Sequence, residues 1–144
     1  MADPQIKKVN TQGHFNAIGI SPSLTCNDLD KSLRFYTEGL GFGIDEQYEM
    51  DGKVVGVMMK AGYAHLGISQ DDFAKGRDRK KGVGLRFYIP TAQDINDLAS
   101  RAQAAGIKLD EGPAKLDCGP DAFTLSDPDG FKITIFNDPN IRAG

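Results

Sequence analysis

The sequence predicts an α+β fold in which one β-α-β-β-β unit occurs twice. Each half of the chain has apolar residues at helical spacing, and a glycine then ends the helix and a strand pattern begins. The two endings, Gly41-Phe42 and Gly106-Ile107, lie 65 residues apart. A repeat of this length indicates two similar modules. In each module the helix covers one face of a small sheet, and the other face is left to be buried or to line a cavity.

The first module is predicted over residues 15–70, after a weakly ordered polar arm at residues 1–14. Pro22 limits the opening strand to an edge position or a bulge. Asn27-Asp28 supplies the predicted N-cap, and Gly39 and Gly41 the predicted end of the helix. Asp51-Gly52 is a strong hairpin signal. The predicted strands of this module are Phe15–Cys26, Phe42–Glu49, Val54–Met59 and Tyr63–Ser69.

The second module is predicted over residues 83–137, after a charged connector at residues 71–82 that we interpret as a solvated loop. Thr91 is the predicted helix cap, and a tail follows at residues 138–144. The predicted strands of this module are Val83–Ile89, Ile107–Asp110, Ala114–Asp117, Phe123–Leu125 and Phe131–Phe136.

The last hairpin is the clearest local signal in the chain. Asp127-Pro128-Asp129-Gly130 is a turn sequence, because Pro presets φ near −65°, Asp side chains bond local amides and Gly accepts positive φ. The strands around it alternate with period 2. The final strand therefore has an apolar face and a mixed face; the mixed face consists of Lys132, Thr134 and Phe136.

Composition excludes several classes of function. A formal net charge of −3 argues against nucleic acid or an anionic membrane as the main partner. The sequence contains neither a membrane-length apolar run nor the apolar core of a secretory signal. Two cysteines, Cys26 and Cys118, are too few for a disulfide framework and are expected to be reduced thiols. We expect a cytoplasmic protein.

Two motifs resemble the vicinal oxygen chelate superfamily, which includes glyoxalases, bleomycin-resistance proteins and extradiol dioxygenases. They are the helix segment 28–36 with Gly39-Leu-Gly-Phe42, and the turn Asp127-Pro-Asp-Gly130. The resemblance covers about residues 20–137. It implies paired βαβββ modules that form an incomplete barrel around a ligand cavity, and assemblies that are often homodimeric.

The resemblance also locates four positions where metal-dependent relatives place His, Gln or Glu. In this chain they fall on Ser21, Gly67, Gly84 and Thr134, with His65 reachable by a shift of register. Glycine offers no side-chain ligand and a hydroxyl is a weak one, whereas these metals prefer imidazole and carboxylate. We therefore expect no metal and no cofactor, and the resemblance is closest to the metal-free members similar to bleomycin-resistance proteins.

Strand alternation assigns other side chains to the cavity, on the assumption that Leu24, Leu85, Phe87, Ile133 and Ile135 pack under the helices. Arg86 is a candidate anchor for an anionic or carbonyl group, with an internal salt bridge or a dimer contact as alternatives. The predicted ligand-binding residues are Ser23, His65, Arg86, Tyr88, Thr134 and Phe136.

Two functions remain open from the sequence. The first is a homodimeric protein that binds a small organic molecule without metal, as in resistance by sequestration. The second is a lyase, isomerase or dioxygenase of the same superfamily with displaced ligands, or a metal-free catalyst that uses His65 with Tyr88 or Arg86. The first is the prediction. Whether the modules pair within one chain or across a dimer stays open.

Overall fold

A computed structural model describes residues 15, 17–115 and 119–138 of the chain. The first module forms a four-stranded sheet in the order β1-β4-β3-β2, in which β1 runs parallel to β4. Its helix α1 continues directly into a π-helical turn at Phe35–Gly39. The elements are β1 Ser23–Cys26, α1 Leu29–Arg34, β2 Gly43–Met50, β3 Lys53–Ala61 and β4 Ala64–Gln70.

The second module repeats this topology. Its sheet has the order β5-β8-β7-β6, and β5 is again parallel to β8. The elements are β5 Arg86–Thr91, α2 Ile95–Ala104, β6 Glu111–Lys115, β7 Asp121–Ser126 and β8 Lys132–Asn137. The predicted α+β fold of two βαβββ modules is confirmed. In the described residues the two sheets are separate and form no closed barrel.

The two helix starts illustrate how local chemistry sets element boundaries. Asp28 caps α1 as predicted, since its carboxylate accepts from the Lys31 amide at 3.2 Å. The prediction that Thr91 caps α2 is wrong, because Asp94 performs this role through the Asp97 amide at 3.0 Å. Thr91 instead ends β5, and its hydroxyl accepts from the Gln93 amide in a local turn.

Several predicted strand bounds are also corrected. Residues 107–110 form no strand, although the half-buried Ile107 and Leu109 pack against the core. Strand β6 follows at Glu111–Lys115 rather than at Ala114–Asp117, whose last two residues lie outside the described part. The opening strand of the first module spans only Ser23–Cys26.

Strand β5 begins at Arg86 rather than at Val83, and this changes the environment of Leu85. Gly84 adopts φ +78°, which breaks the extended conformation before Leu85. Leu85 is therefore 44% exposed, and the prediction that it packs under a helix is wrong. Phe87, Ile133 and Ile135 do pack in or against the core as predicted.

One hydrophobic core joins the helix-covered sides of both sheets. It contains Leu24, Ile68 and Val57 of the first sheet together with Ile133 and Leu125 of the second. The helical segments meet in this core. The Arg101 guanidinium of α2 donates to the carbonyls of Thr37 and Glu38 at 3.2 Å, and Ile107 packs so tightly on Gly39 that a Cβ there would clash. The face of each sheet opposite its helix, called the open face below, lies outside this shared core.

A buried hydrogen bond ties the first helical segment to the last hairpin. The Tyr36 hydroxyl donates to Asp127 Oδ2 at 2.7 Å, and both residues are buried. The other carboxylate oxygen, Oδ1, accepts from the amides of Asp129 and Phe131 at 2.9 and 3.0 Å. Burial raises the pKa of both Tyr36 and Asp127. The Asp127 side chain therefore stabilises both the predicted turn and the contact between the modules.

Ion pairs inside the connector, and one hydrogen bond from Lys81 Nζ to Asn27 Oδ1 of the first module at 2.6 Å, hold this segment in place. Asp71 accepts from Lys81 at 2.9 Å and from Arg79 at 3.2 Å. The hydrogen bond from Lys81 is the main cause that lowers the pKa of Asp71 to about 2. Only 4% of the Lys81 side chain is exposed, so this part of the connector is not the solvated loop expected from its composition.

Two further features bear on the sequence-based expectations. Cys26 is a buried free thiol whose Sγ donates to the Ser69 carbonyl at 3.3 Å, and burial raises its pKa to about 11. Cys118 lies outside the described residues. Among the helices that the structure describes, none is long and apolar enough to cross a membrane.

Replacing Tyr36 by Phe should lower the free energy of unfolding by about 1.5–3 kcal/mol, because Asp127 Oδ2 then stays buried without its donor. Urea denaturation at neutral pH measures the change. Tyr63→Phe is the matched control, since Tyr63 is 92% exposed and should shift stability by less than about 0.5 kcal/mol. Equal effects of the two changes would show that the bond between Tyr36 and Asp127 does not stabilise the packing of the modules.

Candidate functional site

The open face of the second sheet carries four of the six predicted site residues. Tyr88 on β5 lies opposite Thr134 on β8, which in turn lies opposite Thr124 on β7. Because side chains alternate along a strand, Arg86 and Phe136 share this face with Tyr88 and Thr134. The neighbouring positions Phe87 and Ile133 point to the helix side.

Arg86, Tyr88 and Phe136 form an aromatic cluster on this face. The rings of Tyr88 and Phe136 meet edge to face, with centroids 6.4 Å apart and planes at 69°. The Arg86 guanidinium carbon lies 5.9 Å from the centroid of the Tyr88 ring. Tyr88 is 59% exposed, so a large part of this aromatic surface is accessible to a planar ligand.

Thr134 lies on the same face as this aromatic cluster, and its hydroxyl is paired with that of a neighbour. Its hydroxyl is 2.8 Å from the Thr124 hydroxyl, and the two residues are 1% and 2% exposed. Each hydroxyl can donate to or accept from the other. Thr134 therefore lies beneath the exposed side chains of this face, and its hydroxyl already has a partner. Its role in ligand binding stays a prediction.

The open face of the first sheet has a floor of small residues. Ser23 on β1 lies opposite Gly67 on β4, and Gly67 lies opposite Met58 on β3. A Cβ placed on Gly67 would contact Met58 Cε at 3.4 Å and Ser23 Oγ at 3.5 Å. In the next row Gly56 lies opposite Ser69. The two glycines leave a shallow surface beside the exposed Ser23.

His65 lies on the same face as Gly67, two residues earlier along β4. It is half-buried and lies opposite Lys60 of β3. The strand register therefore puts Gly67, rather than His65, directly beside Ser23. His65 remains a predicted ligand contact at the end of this sheet.

The structure brings the predicted residues together in two groups. Ser23 and His65 belong to the first sheet, whereas Arg86, Tyr88, Thr134 and Phe136 belong to the second. Within the described residues, no strand of one sheet hydrogen-bonds to a strand of the other. The sheets meet instead through their helix-covered sides.

The four positions where metal-dependent relatives carry ligands do not fit a metal ion here. Gly67 and Gly84 have no donor, Ser21 is exposed before β1, and the Thr134 hydroxyl is buried against Thr124. Across the part of the chain that the structure describes, no cluster of three or more His, Cys, Asp or Glu side chains could hold a metal. These residues therefore supply no site for Lewis-acid chemistry.

Lys132 is a site candidate that sequence analysis placed on the mixed face but did not select. It lies opposite Arg86 across the β5–β8 pair and is exposed. Its alternation with Thr134 and Phe136 was visible in the sequence. The adjacency to Arg86 depends on strand register, which the sequence does not give directly.

Residues 11–135 match the Glyoxalase/Bleomycin resistance protein/Dioxygenase superfamily. The chain belongs to this superfamily, as its two βαβββ modules and the turn at Asp127 indicate. No curated protein sequence matches the chain.

Solved structures of similar fold include proteins of different descriptions. A virulence protein from Salmonella typhimurium is 25% identical, with a TM-score of 0.62 over 85% of this chain and 98% of that one. The antibiotic binding protein TnmS3 from a Streptomyces species is 22% identical, with a TM-score of 0.64 over 86% and 98%. A lactoylglutathione lyase from Agrobacterium tumefaciens is 16% identical, with a TM-score of 0.62 over 85% and 96%. The last two likenesses show the fold alone.

Replacing Thr134 by Val should cost about 1–3 kcal/mol of stability, because the buried Thr124 hydroxyl loses its partner. The double replacement Thr124→Val/Thr134→Val removes both hydroxyls with little change of shape and should recover most of that loss. Urea denaturation of the two single variants and the double variant measures the coupling. If the double variant lost as much stability as the sum of the single variants, the hydroxyl pair would not be a stabilising unit.

Proposed function

We propose that this protein binds a small organic molecule without a metal ion and acts by sequestering it. The observation that supports this function best is the exposed aromatic cluster of Arg86, Tyr88 and Phe136 on the open face of the second sheet. Aromatic walls with a few polar groups are typical of small-molecule sites. The superfamily positions for metal ligands offer no set of donors, so binding relies on these side chains.

The open face of the first sheet supplies the opposite wall. Gly56 and Gly67 give this wall a flat floor without large side chains, and Ser23 and His65 provide polar groups at its border. Met58 is half-buried in the same row, and a thioether adapts to ligands of different shape. A cavity between the two open faces would be aromatic on one side and shallow on the other.

The two walls come from two copies of the chain in this proposal. One chain uses the helix sides of both sheets for its own core, so its open faces are not available to each other there. Strands β1 and β5 lie at the edges of their sheets, and unpaired edges are sites of pairing between chains. Exposed apolar side chains lie beside these edges, namely Ile18, Ile20, Val83 and Leu85. A homodimer that joins the edges would bury them.

Catalysis by His65 together with Tyr88 or Arg86 has less support. Acid–base catalysis needs both groups within hydrogen-bond reach of the same substrate. His65 lies at the border of the first open face, opposite Lys60, and the other two residues lie on the second sheet, so catalysis would need an exact distance between side chains of two copies. Binding requires only that the walls enclose the ligand. TnmS3, an antibiotic binding protein of similar fold, is consistent with this class of function.

A thermal-shift screen with a panel of planar aromatic and glycopeptide compounds tests the proposal. A ligand at 100 times its Kd adds about 2.7 kcal/mol of stability and raises the melting temperature by several degrees. Tyr88→Ala should abolish most of the shift, whereas Tyr63→Ala, at an exposed site between β3 and β4, should retain it. Elemental analysis of protein purified without chelators should find far less than one equivalent of metal.

Two outcomes would contradict the proposal. The first is a panel in which no compound shifts the transition. The second is one equivalent of bound metal whose removal by a chelator also removes ligand binding.

A further inference from the structure

Two cations lie side by side at one end of the aromatic cluster. Arg86 and Lys132 are partners across the parallel strands β5 and β8, and both are exposed on the open face. Backbones of neighbouring strands are only about 4.8 Å apart, so like charges in this arrangement repel each other. An anion bound between them would be attracted by both cations and would offset this repulsion.

The charges of these two residues are not used within the described part of the chain. Neither side chain forms an ion pair or a hydrogen bond with another described residue, and Arg86 only approaches the Tyr88 ring. Arg79 and Lys81, by contrast, both pair with Asp71. Ser126, which lies opposite Lys132, donates its hydroxyl to Asp110 Oδ2 at 2.6 Å.

A groove opens directly at the two cations. It has a volume of about 290 Å³ and is lined by Gly82, Gly84, Leu85, Arg86 and Lys132. Gly84 has no heavy atom within 4 Å of the place where a Cβ would lie, so one side of the groove is open. Arg86 lines this groove and also approaches the Tyr88 ring, so the groove and the aromatic cluster share this residue.

From this arrangement we infer that the ligand is an aromatic compound with an anionic substituent, a carboxylate or a phosphate. Arg86 and Lys132 hold the anionic group, while Tyr88 and Phe136 hold the ring. This inference rests on the proposed function, and it adds the charge of the ligand and the role of Lys132. The shared chemistry is an oxyanion on a planar ring.

The two cations suit an oxyanion in complementary ways. The planar guanidinium of Arg86 can donate two parallel hydrogen bonds to one carboxylate or phosphate. The Lys132 ammonium adds a point charge from the neighbouring strand. The anionic end of the ligand would lie on the β5–β8 side, since Glu111 on β6 lies in the row of Tyr88 at the far edge of the same sheet.

Calorimetric titration of the full chain with three naphthalene compounds tests this inference. Naphthoate and naphthyl phosphate carry the anion, whereas naphthamide is a neutral compound of similar shape. We expect at least one anionic compound to bind about tenfold or more tightly than naphthamide, because a charge-assisted hydrogen bond contributes that much. The comparison of naphthoate with naphthyl phosphate then decides which oxyanion the site prefers.

The double variant Arg86→Gln/Lys132→Gln should bind all three compounds with similar affinity. Lys108→Gln is a control that removes an exposed positive charge outside both sheets and should keep the preference. Unchanged circular dichroism melting curves would show that the variants fold. Equal binding of naphthoate, naphthyl phosphate and naphthamide by the natural chain would overturn the inference, while the binding of naphthamide itself would still support the proposed function. A double variant that kept the anion preference would also overturn the inference.

Discussion

The buried hydrogen bond between Tyr36 and Asp127 is the constraint on which the arrangement of this molecule depends. A carboxylate is expensive to bury, and Asp127 is stable there because three donors surround it. One donor comes from the first module and two from the turn of the last hairpin. The bond thus fixes α1 and the π-helical turn against the second module, and the helix sides of both sheets share a single core. Arg101 and Ile107 complete this contact from the second module.

This packing determines where ligand chemistry can occur. The helix sides of both sheets are buried in the core, so the open faces are the sheet surfaces that a ligand can reach. The predicted ligand-binding residues lie on strands that contribute to these faces. The two faces differ in character. The first offers small residues around Gly67, whereas the second offers the rings of Tyr88 and Phe136 with Arg86 and Lys132 beside them. A site that combines the small residues of the first face with the rings and cations of the second needs both faces. One chain holds these faces on separate sheets.

Local signals in the sequence predicted much of the fold, and long-range pairing explains most of what they missed. The turn at Asp127 and the cap at Asp28 were predictable because each depends on residues within four positions. Alternation placed Ile133 and Ile135 correctly, since period 2 is a property of the strand itself. Leu85 was misplaced because Gly84 breaks the strand pattern through its backbone conformation. The pairing of Thr134 with Thr124 follows from the hairpin register that the turn at Asp127 sets. The pairing of Arg86 with Lys132 depends on the register of two parallel strands far apart in the sequence, which no local pattern in this chain specifies.

The central claim of this account is that the ligand cavity is completed by a second copy of the chain. Sedimentation equilibrium measures it most directly, in parallel for the natural chain and for Val83→Glu, which places a charge beside the free edge of β5. The account predicts a mass of twice the chain's 15.6 kDa for the natural protein and a shift toward the single-chain mass for the variant. Tyr63→Glu, at an exposed position away from both free edges, should keep the doubled mass. A natural protein that sediments at the single-chain mass while still binding its ligand would contradict the account.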